Sequence, residues 1–175
     1  TMGHYRRSVN IFLNWLVTQR KIDRNPSELL PGIEAAEPPR GVYSPEELSR
    51  ILAIAQQIRP SSIPWIALGA FCGIRPRELS RLSWEDIDMK GKLVKVHHGK
   101  AKTGRARFVP LPDVCEKWLE WTIKAGIPAV ASIVPGDTID RREGAQGRTI
   151  KELRKAGVEW KKDALRHSFA SYACA

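Results

Sequence analysis

The sequence predicts an α+β fold that is mainly α-helical and contains one small three-stranded antiparallel sheet. Apolar residues recur at helical spacing over most of the chain, which is typical of amphipathic and buried helices. Between Asp86 and Leu111 the pattern changes to short β-rich runs separated by turn residues, which is typical of an antiparallel meander. Helical spacing then returns, so the sheet is predicted to be an insertion in a helical domain.

Residues 1–30 predict an amphipathic helix over residues 4–20 and a short turn or second helix that starts at Asn25. One helix cannot bury its own apolar stripe, so it either ends a preceding domain or packs as an arm against the rest of the chain. Prolines and glycines are frequent over residues 31–43, which predicts a linker. The apolar stripe consists of Val9, Phe12, Leu13, Leu16 and Val17.

A second domain is predicted over residues 44–175, and its first helix has a clear start. Ser44 can cap this helix, Pro45 suits its first position, and Glu47 can complete a capping box. The next helix, over residues 62–72, is mostly apolar, which indicates a central position in the core.

Gly73 is predicted to end that helix in a left-handed conformation, and Pro76 opens a short helix that extends to Leu82. Residues 127–147 are ambiguous and are interpreted as one short strand and a loop. The remaining predicted elements are strands at residues 93–96 and 107–111 and helices at residues 112–125, 148–156 and 163–173.

The amino-acid composition limits the kinds of molecule that this protein is expected to bind. The 175 residues include 29 Lys and Arg against 19 Asp and Glu, a net charge of +10, and 42% are hydrophobic, which excludes a disordered basic tail. A folded domain of this charge is expected to bind a polyanion. The longest uncharged stretch, Pro60–Ile74, is too short and too polar to span a bilayer, so we expect no membrane partner.

Three widely spaced cysteines argue against a disulfide framework and predict a cytoplasmic protein.

Arg75 is the centre of the first candidate site. It lies in a tight turn directly before the helix that opens at Pro76, where free backbone N–H groups also favour anions. Glu78 is near enough along the chain to orient the Arg75 guanidinium. The alternative is an ordinary solvated helix start rich in arginine.

Residues 89–112 form the second candidate site, because they contain seven basic side chains and no acidic one. Such a hairpin suits the phosphate spacing of a nucleic acid, and Lys102 in its turn is placed to reach a single phosphate. An ordinary solvated hairpin is the alternative. His97 and His98 are adjacent and have no partner at ligand spacing, so no metal site is predicted.

The third candidate site opens the last predicted helix. Arg166 and His167 lie at its start, and a buried arginine needs an anionic partner. The alternative is a pair between Arg166 and Asp163 on the surface. The predicted buried face of this helix consists of Leu165, Phe169, Tyr172 and Ala173. The six tryptophans are predicted to pack in the core.

Taken in this order, the motifs resemble the catalytic domain of the tyrosine recombinases, the lambda-integrase type of phages and mobile elements. The resemblance covers roughly residues 41–175, and residues 4–30 look like the last helix of the family's core-binding domain. The motifs are Gly-x-Arg-x-x-Glu-Leu from Gly73, Leu-x-Trp-x-Asp-Ile from Leu82, Lys-Thr-Gly from Lys102, Arg-x-Val-Pro-Leu from Arg107 and Leu-Arg-His-Ser-Phe-Ala from Leu165.

The resemblance implies roles for individual residues. Arg75 and Arg166 match the two arginines that hold the scissile phosphate, and Lys102 matches the lysine that protonates the departing 5′ oxygen. Glu78 matches the acidic residue that braces the first arginine, with His167 as a further support. The residues expected to contact DNA are Arg77, Lys100, Arg105 and Arg107.

The sequence departs from the family pattern at two places. Asp163 stands where the family usually has histidine, and its carboxylate is expected to act in catalysis either by accepting a proton or by hydrogen-bonding Arg166. The family's nucleophilic tyrosine lies tens of residues after the second arginine, beyond the end of this chain. Tyr172 is turned by about 240° from Arg166 on the same helix, so we expect it in the core and expect no nucleophile here.

The resemblance therefore implies site-specific DNA recombination or integration through a 3′-phosphotyrosine intermediate, with this chain alone inactive. The bond energy stays in the phosphotyrosine, so neither a cofactor nor a metal is expected. Double-stranded DNA is the expected partner, with the full-length protein a tetramer on DNA and this chain a monomer. The expected location is cytoplasmic and associated with the nucleoid, for a protein encoded by a bacterium or a phage. The alternative is a catalytically inert recombinase-like module that only binds DNA.

Overall fold

The computed structural model describes residues 2–30, 41–97, 106–127, 132–136 and 138–173. Two compact units are present, residues 1–39 and residues 40–175. The predicted site residues Lys100, Lys102 and Arg105 lie outside the described residues. Within the described ranges, no helix has the length and apolar character needed to cross a membrane.

The first unit contains α1 (Met2–Thr18) and a 3₁₀ turn at Pro26–Leu29. The buried side chain of Asn25 caps this turn by accepting from the Ser27 amide at 2.9 Å. It also donates to the side chains of Asn10 and Asn14 on α1, each at 2.6 Å. This polar network fixes the turn against the preceding helix.

The predicted apolar stripe of α1 is only partly covered. Val9 and Phe12 are more than half exposed, and so is Trp15, which corrects its predicted place in the core. The physical reason is that a helix and one short turn offer no second apolar surface on which the stripe can pack.

The second unit is mainly helical, and α3 lies at its centre. Every residue of α3 except Phe71 is buried, as its continuous apolar sequence predicts, and it packs against α5 and α7. The helices are α2 (Pro45–Ile58), α3 (Ile63–Phe71), α4 (Pro76–Leu79), α5 (Asp113–Lys124), α6 (Ile139–Lys155) and α7 (Ala164–Ala173).

A small antiparallel sheet joins α4 to α5, and the predicted fold class is confirmed. Its strands, in the order β1-β2-β3, are β1 (Ile87–Asp88), β2 (Leu93–Val96) and β3 (Arg107–Pro110). Val94 and Val96 face the core, whereas Lys95 pairs with the exposed Phe108 on the opposite face. The alternation places Arg107 on the core-facing side of the sheet.

The predicted capping box at the start of α2 is present. The Ser44 hydroxyl accepts from the Glu47 amide at 3.2 Å, and the Glu47 carboxylate accepts from the Ser44 amide at 2.8 Å. We expect Ser44→Ala to lower the free energy of unfolding by about 1 kcal/mol, because the capping interaction between these two residues is lost. Urea denaturation measures this loss. Ser49→Ala, on the exposed middle of α2, is the control, and an equal loss in both variants would contradict the capping role.

Two predicted helices need correction in their bounds. Helix α6 begins at Ile139 rather than at residue 148, because Thr138 caps it by accepting from the Arg141 amide at 3.3 Å. Gly144 and Gly147 lie inside it, and these glycines made the segment resemble a loop. Helix α4 ends at Leu79, so the buried Leu82 lies beyond it.

The buried face of α7 also differs from the prediction. Ala164, Leu165 and Ser168 are buried, whereas Tyr172 is 55% exposed and Ala173 is also exposed. Tyr172 lies in the last turn of α7, where its hydroxyl donates to the Tyr43 carbonyl at 3.1 Å and its ring stays at the surface. The prediction that Tyr172 belongs to the core is therefore wrong.

The tryptophans of the second unit follow the prediction more closely. Trp65 is buried, and Trp160 packs edge-on against it with ring centroids 6.0 Å apart. The other three are partly buried against the core: Trp84, Trp118 and Trp121.

Candidate active site

The turn between α3 and α4 presents Arg75. Gly73 has φ +62°, a left-handed conformation that reverses the chain after α3. Ile74 is buried and anchors the turn, and Arg75 is extended because the following Pro76 disfavours a helical conformation. The Arg75 side chain, 55% exposed, therefore projects outward from a firmly held backbone.

Glu78 braces Arg75, as the spacing predicts. One carboxylate oxygen accepts from the Arg75 amide at 3.0 Å, and the other accepts from Nη1 of the same residue at 3.1 Å. The Glu78 side chain is only 11% exposed, so its orientation is restricted.

Arg107 is the second partner of Glu78, and sequence reasoning missed this contact. Its Nη1 and Nη2 donate to the two oxygens of the Glu78 carboxylate at 2.8 and 2.7 Å, a fork-to-fork pair between β3 and α4. The pairing raises the pKa of Arg107. Arg107 was predicted to contact DNA, but the structure gives it an internal carboxylate as partner.

Arg166 reaches the same turn from α7. Its Nη1 donates to the carbonyl oxygen of Gly73 at 2.7 Å, two residues before Arg75. The pKa of Arg166 is lowered, first by burial and then by the positive charge of Arg75, with Glu78 acting in the opposite direction. No hydrogen bond or ion pair joins the side chains of Arg166 and Asp163 among the described residues, so the alternative of a local surface pair is not observed.

Asp163 lies beside Arg166 at the start of α7. Its carbonyl accepts from the His167 amide at 3.1 Å, and its φ of +55° is unusual for a residue other than glycine. Asp163 and Arg166 both line a cavity of about 470 Å³ that also contacts Pro76.

His167 follows Arg166 and is half-buried, whereas Arg77 is 84% exposed and lies 3.8 Å from Glu143. In the part of the chain that the structure describes, no group of three or more His, Cys, Asp or Glu side chains could hold a metal ion.

Helix α6 supports the site from behind, which the sequence did not indicate. The Gln146 amide donates to the Pro76 carbonyl at 3.3 Å, and the Ser80 hydroxyl donates to the Gln146 side chain at 3.5 Å. Arg142 donates to the Ser80 carbonyl at 3.2 Å. These contacts hold both ends of α4, and no local pattern indicates them because the partners are more than 60 residues apart.

The assembled cluster is suited to an anion. Arg75, Arg107 and Arg166 contribute three positive charges and Glu78 one negative charge, so the four side chains carry a net charge of +2. Guanidinium groups present paired N–H donors that match phosphate oxygens. The geometry therefore favours binding and charge stabilisation of a phosphate group.

Glu78 makes the stability of the fold dependent on pH. Its two arginine partners lower the pKa of its carboxyl from 4.5 to about 2, against the opposing effect of burial. A group whose pKa is lower in the folded state stabilises the fold above its unfolded pKa and loses this contribution as the pH falls. We expect the difference in unfolding free energy between the wild type and Glu78→Gln to be constant above about pH 5.5 and to shrink from about pH 4.5 towards pH 2. Urea denaturation across this range measures it, and a constant difference would contradict the assignment.

The sequence is similar to that of known proteins. The phage integrase family matches residues 42–172. The tyrosine recombinase XerA of Thermococcus kodakarensis is 27% identical over 97% of this chain and 62% of its own length. The chain thus spans about three fifths of that relative.

Two solved structures share the fold. The crystal structure of XerA recombinase matches with a TM-score of 0.60 and 20% identity, covering 97% of this chain and 69% of that one. The Tn1549 transposon integrase, in complex with circular intermediate DNA, matches with a TM-score of 0.73 and 17% identity. It covers 98% of this chain and 65% of that one, and at this identity the likeness concerns the fold alone.

Proposed function

Because the chain belongs to the phage integrase family, we propose that its protein is a tyrosine site-specific recombinase that cleaves and rejoins double-stranded DNA. The curated relatives that the chain matches are named tyrosine recombinases, which favours this function over an inert DNA-binding module. Since the chain spans only part of those relatives, the reaction is assigned to the natural protein that contains it.

The convergence of Arg75 and Arg166 is the observation that carries the proposal. The two arginines are far apart in the sequence, yet the Gly73 carbonyl that Arg166 contacts belongs to the turn that presents Arg75. A phosphodiester carries one negative charge and gains another when an oxyanion attacks its phosphorus. A site with a surplus of two positive charges therefore stabilises the transition state more than the ground state.

The proposed reaction is a transesterification at the phosphate. The oxygen of a tyrosine attacks the phosphorus, the bond from phosphorus to the 5′ oxygen breaks, and the tyrosine is left joined to the 3′ phosphate. Lys102, outside the described residues, is assigned as the donor of a proton to the departing 5′ oxygen. Asp163 is assigned as acceptor of the tyrosine proton, and the 5′ hydroxyl of a second strand reverses these steps.

The remaining assignments concern the domain bounds, the residues that contact DNA and the oligomeric state. We assign residues 1–30 to the end of a core-binding domain, residues 31–43 to a linker and residues 44–175 to the catalytic domain. Contacts with the DNA backbone are assigned to Arg77, Lys100 and Arg105. The natural protein is proposed to act as a tetramer on DNA, whereas the 175-residue chain is proposed to be a monomer, which ultracentrifugation tests.

The experiment is a covalent trapping assay with the complete product of the gene. A pool of nicked duplexes with randomised sequence is incubated with the protein, and adducts that survive denaturant are recovered and sequenced. We expect a tyrosine joined to a 3′ phosphate and a free 5′ hydroxyl. Retention of duplex DNA without any adduct would overturn the proposal in favour of a binding module.

A further inference from the structure

We propose that Arg107 is a positioning residue, which occupies the Glu78 carboxylate so that the charge and the donors of Arg75 stay available to the phosphate. This inference rests on the proposed function, which it deepens. It also replaces the expectation that Arg107 itself contacts DNA.

The first support is the geometry around Glu78. Arg107 forms two parallel hydrogen bonds to the two oxygens, at 2.8 and 2.7 Å, whereas Arg75 makes only one side-chain contact, through Nη1 at 3.1 Å. The remaining donors of the Arg75 guanidinium are not used by Glu78. Since the Arg75 side chain is 55% exposed, these donors are open to a ligand.

The second support is the distribution of charge. Arg107 and Glu78 neutralise each other as a forked pair that is 31% and 11% exposed, so the surplus charge lies on Arg75 and Arg166. Without Arg107, the poorly solvated carboxylate of Glu78 keeps Arg75 as its hydrogen-bonded guanidinium partner. The optimum for that pair is the same forked geometry, which would turn the Arg75 donors away from a phosphate.

The third support is the rigidity of the two anchors. Arg107 is the first residue of β3 and pairs with Val96 on β2, whose side chain is buried. Glu78 lies on α4, which α6 holds from behind through Gln146. The Arg107–Glu78 pair therefore fixes the position of α4 relative to the sheet.

The experiment compares Arg107→Met and Arg107→Lys in the complete gene product. We expect Arg107→Met to slow single-turnover cleavage at saturating DNA by about tenfold to a hundredfold, with the DNA affinity within about threefold of the wild type. Arg107→Lys keeps the charge but not the fork, so it should restore part of the rate. Arg50→Met, at an exposed position on α2, is the control for loss of one surface charge.

One pattern of results would overturn the inference. If Arg107→Met weakens DNA binding, reduces the slope of log affinity against log salt by about one and leaves the saturated rate unchanged, Arg107 is a phosphate ligand and the inference is wrong.

A measurement independent of cleavage separates this inference from the proposed function. Carboxyl NMR of the 175-residue chain follows the titration of Glu78, whose pKa is about 2 in the wild type. We expect this pKa to rise in Arg107→Met and less in Arg107→Lys. If the wild-type protein forms no adduct, the proposed function fails, and an unchanged Glu78 pKa in Arg107→Met would then overturn the inference as well.

Discussion

In the complete gene product, replacement of Arg166 by alanine is expected to lower the rate of strand cleavage by about a thousandfold or more, with only a small loss of DNA affinity. Arg166 approaches the Arg75 turn from α7 and supplies one of the two surplus positive charges at the site. Its contribution grows as negative charge develops on the phosphate, so the loss appears in the chemical step rather than in binding. Single-turnover cleavage at saturating DNA, together with a separate binding titration, measures both quantities.

The Arg166→Lys variant distinguishes the effect of the positive charge from the effect of the planar guanidinium group. Lysine retains the positive charge but cannot donate to the Gly73 carbonyl and to a phosphate with the same planar group, so we expect only partial recovery. Arg50→Ala, on the exposed surface of α2, controls for the loss of one positive charge and is expected to cleave normally. Near-normal cleavage by a folded Arg166→Ala protein would remove this residue from the site.

The local parts of the fold and the site were predictable from the sequence. The capping box at Ser44, the left-handed Gly73 and the contact between Arg75 and Glu78 each depend on residues within four positions of one another. Such features follow from backbone geometry and from the chemistry of neighbouring side chains. They also define the turn on which the candidate site is built.

Contacts between distant segments could not be read in the same way. Nothing in the sequence near Arg107 indicates that it faces Glu78, because that depends on how β3 packs against α4. The number of basic residues in the hairpin therefore led to the prediction that Arg107 contacts DNA. The exposure of Tyr172 could not be predicted for a related reason. Helical periodicity gives the direction of a side chain but not whether another element covers it.

The early start of α6 could not be predicted because tertiary contacts override the local helical propensity. Gly144 and Gly147 lower the helical propensity of the segment, and the sequence pattern favoured a loop. Tertiary contacts outweigh this, because Gln146 and Arg142 on the same helix bond to the backbone of α4 and of the residue that follows it. The glycines that made the helix hard to predict thus lie next to the residues through which it supports the site.

Gly73→Ala is expected to be the most destabilising single substitution at the candidate site. Gly73 has φ +62°, and a Cβ atom there would lie 2.3 Å from Cδ1 of Phe169 on α7. Backbone strain and overpacking together are expected to lower the free energy of unfolding by about 2–5 kcal/mol. The clash is relieved when the Phe169 ring turns or α7 moves away from the turn, and a movement of α7 would also break the 2.7 Å hydrogen bond from Arg166 to the Gly73 carbonyl.

Gly126 provides a matched control for the backbone contribution. It has a similar φ of +72°, but among the described residues other than Gly126 and its chain neighbours no atom lies within 4 Å of the position that a Cβ would occupy there. Gly126→Ala should therefore lose only about 1–2 kcal/mol. Urea denaturation of the two variants separates the cost of backbone strain at positive φ from the cost of the clash with Phe169. A larger loss for Gly73→Ala, together with weaker binding of DNA, is expected because the turn and α7 present the two arginines jointly. Equal losses in both variants would show that α7 yields without cost, and the close approach of Phe169 would then play no part in holding the site together.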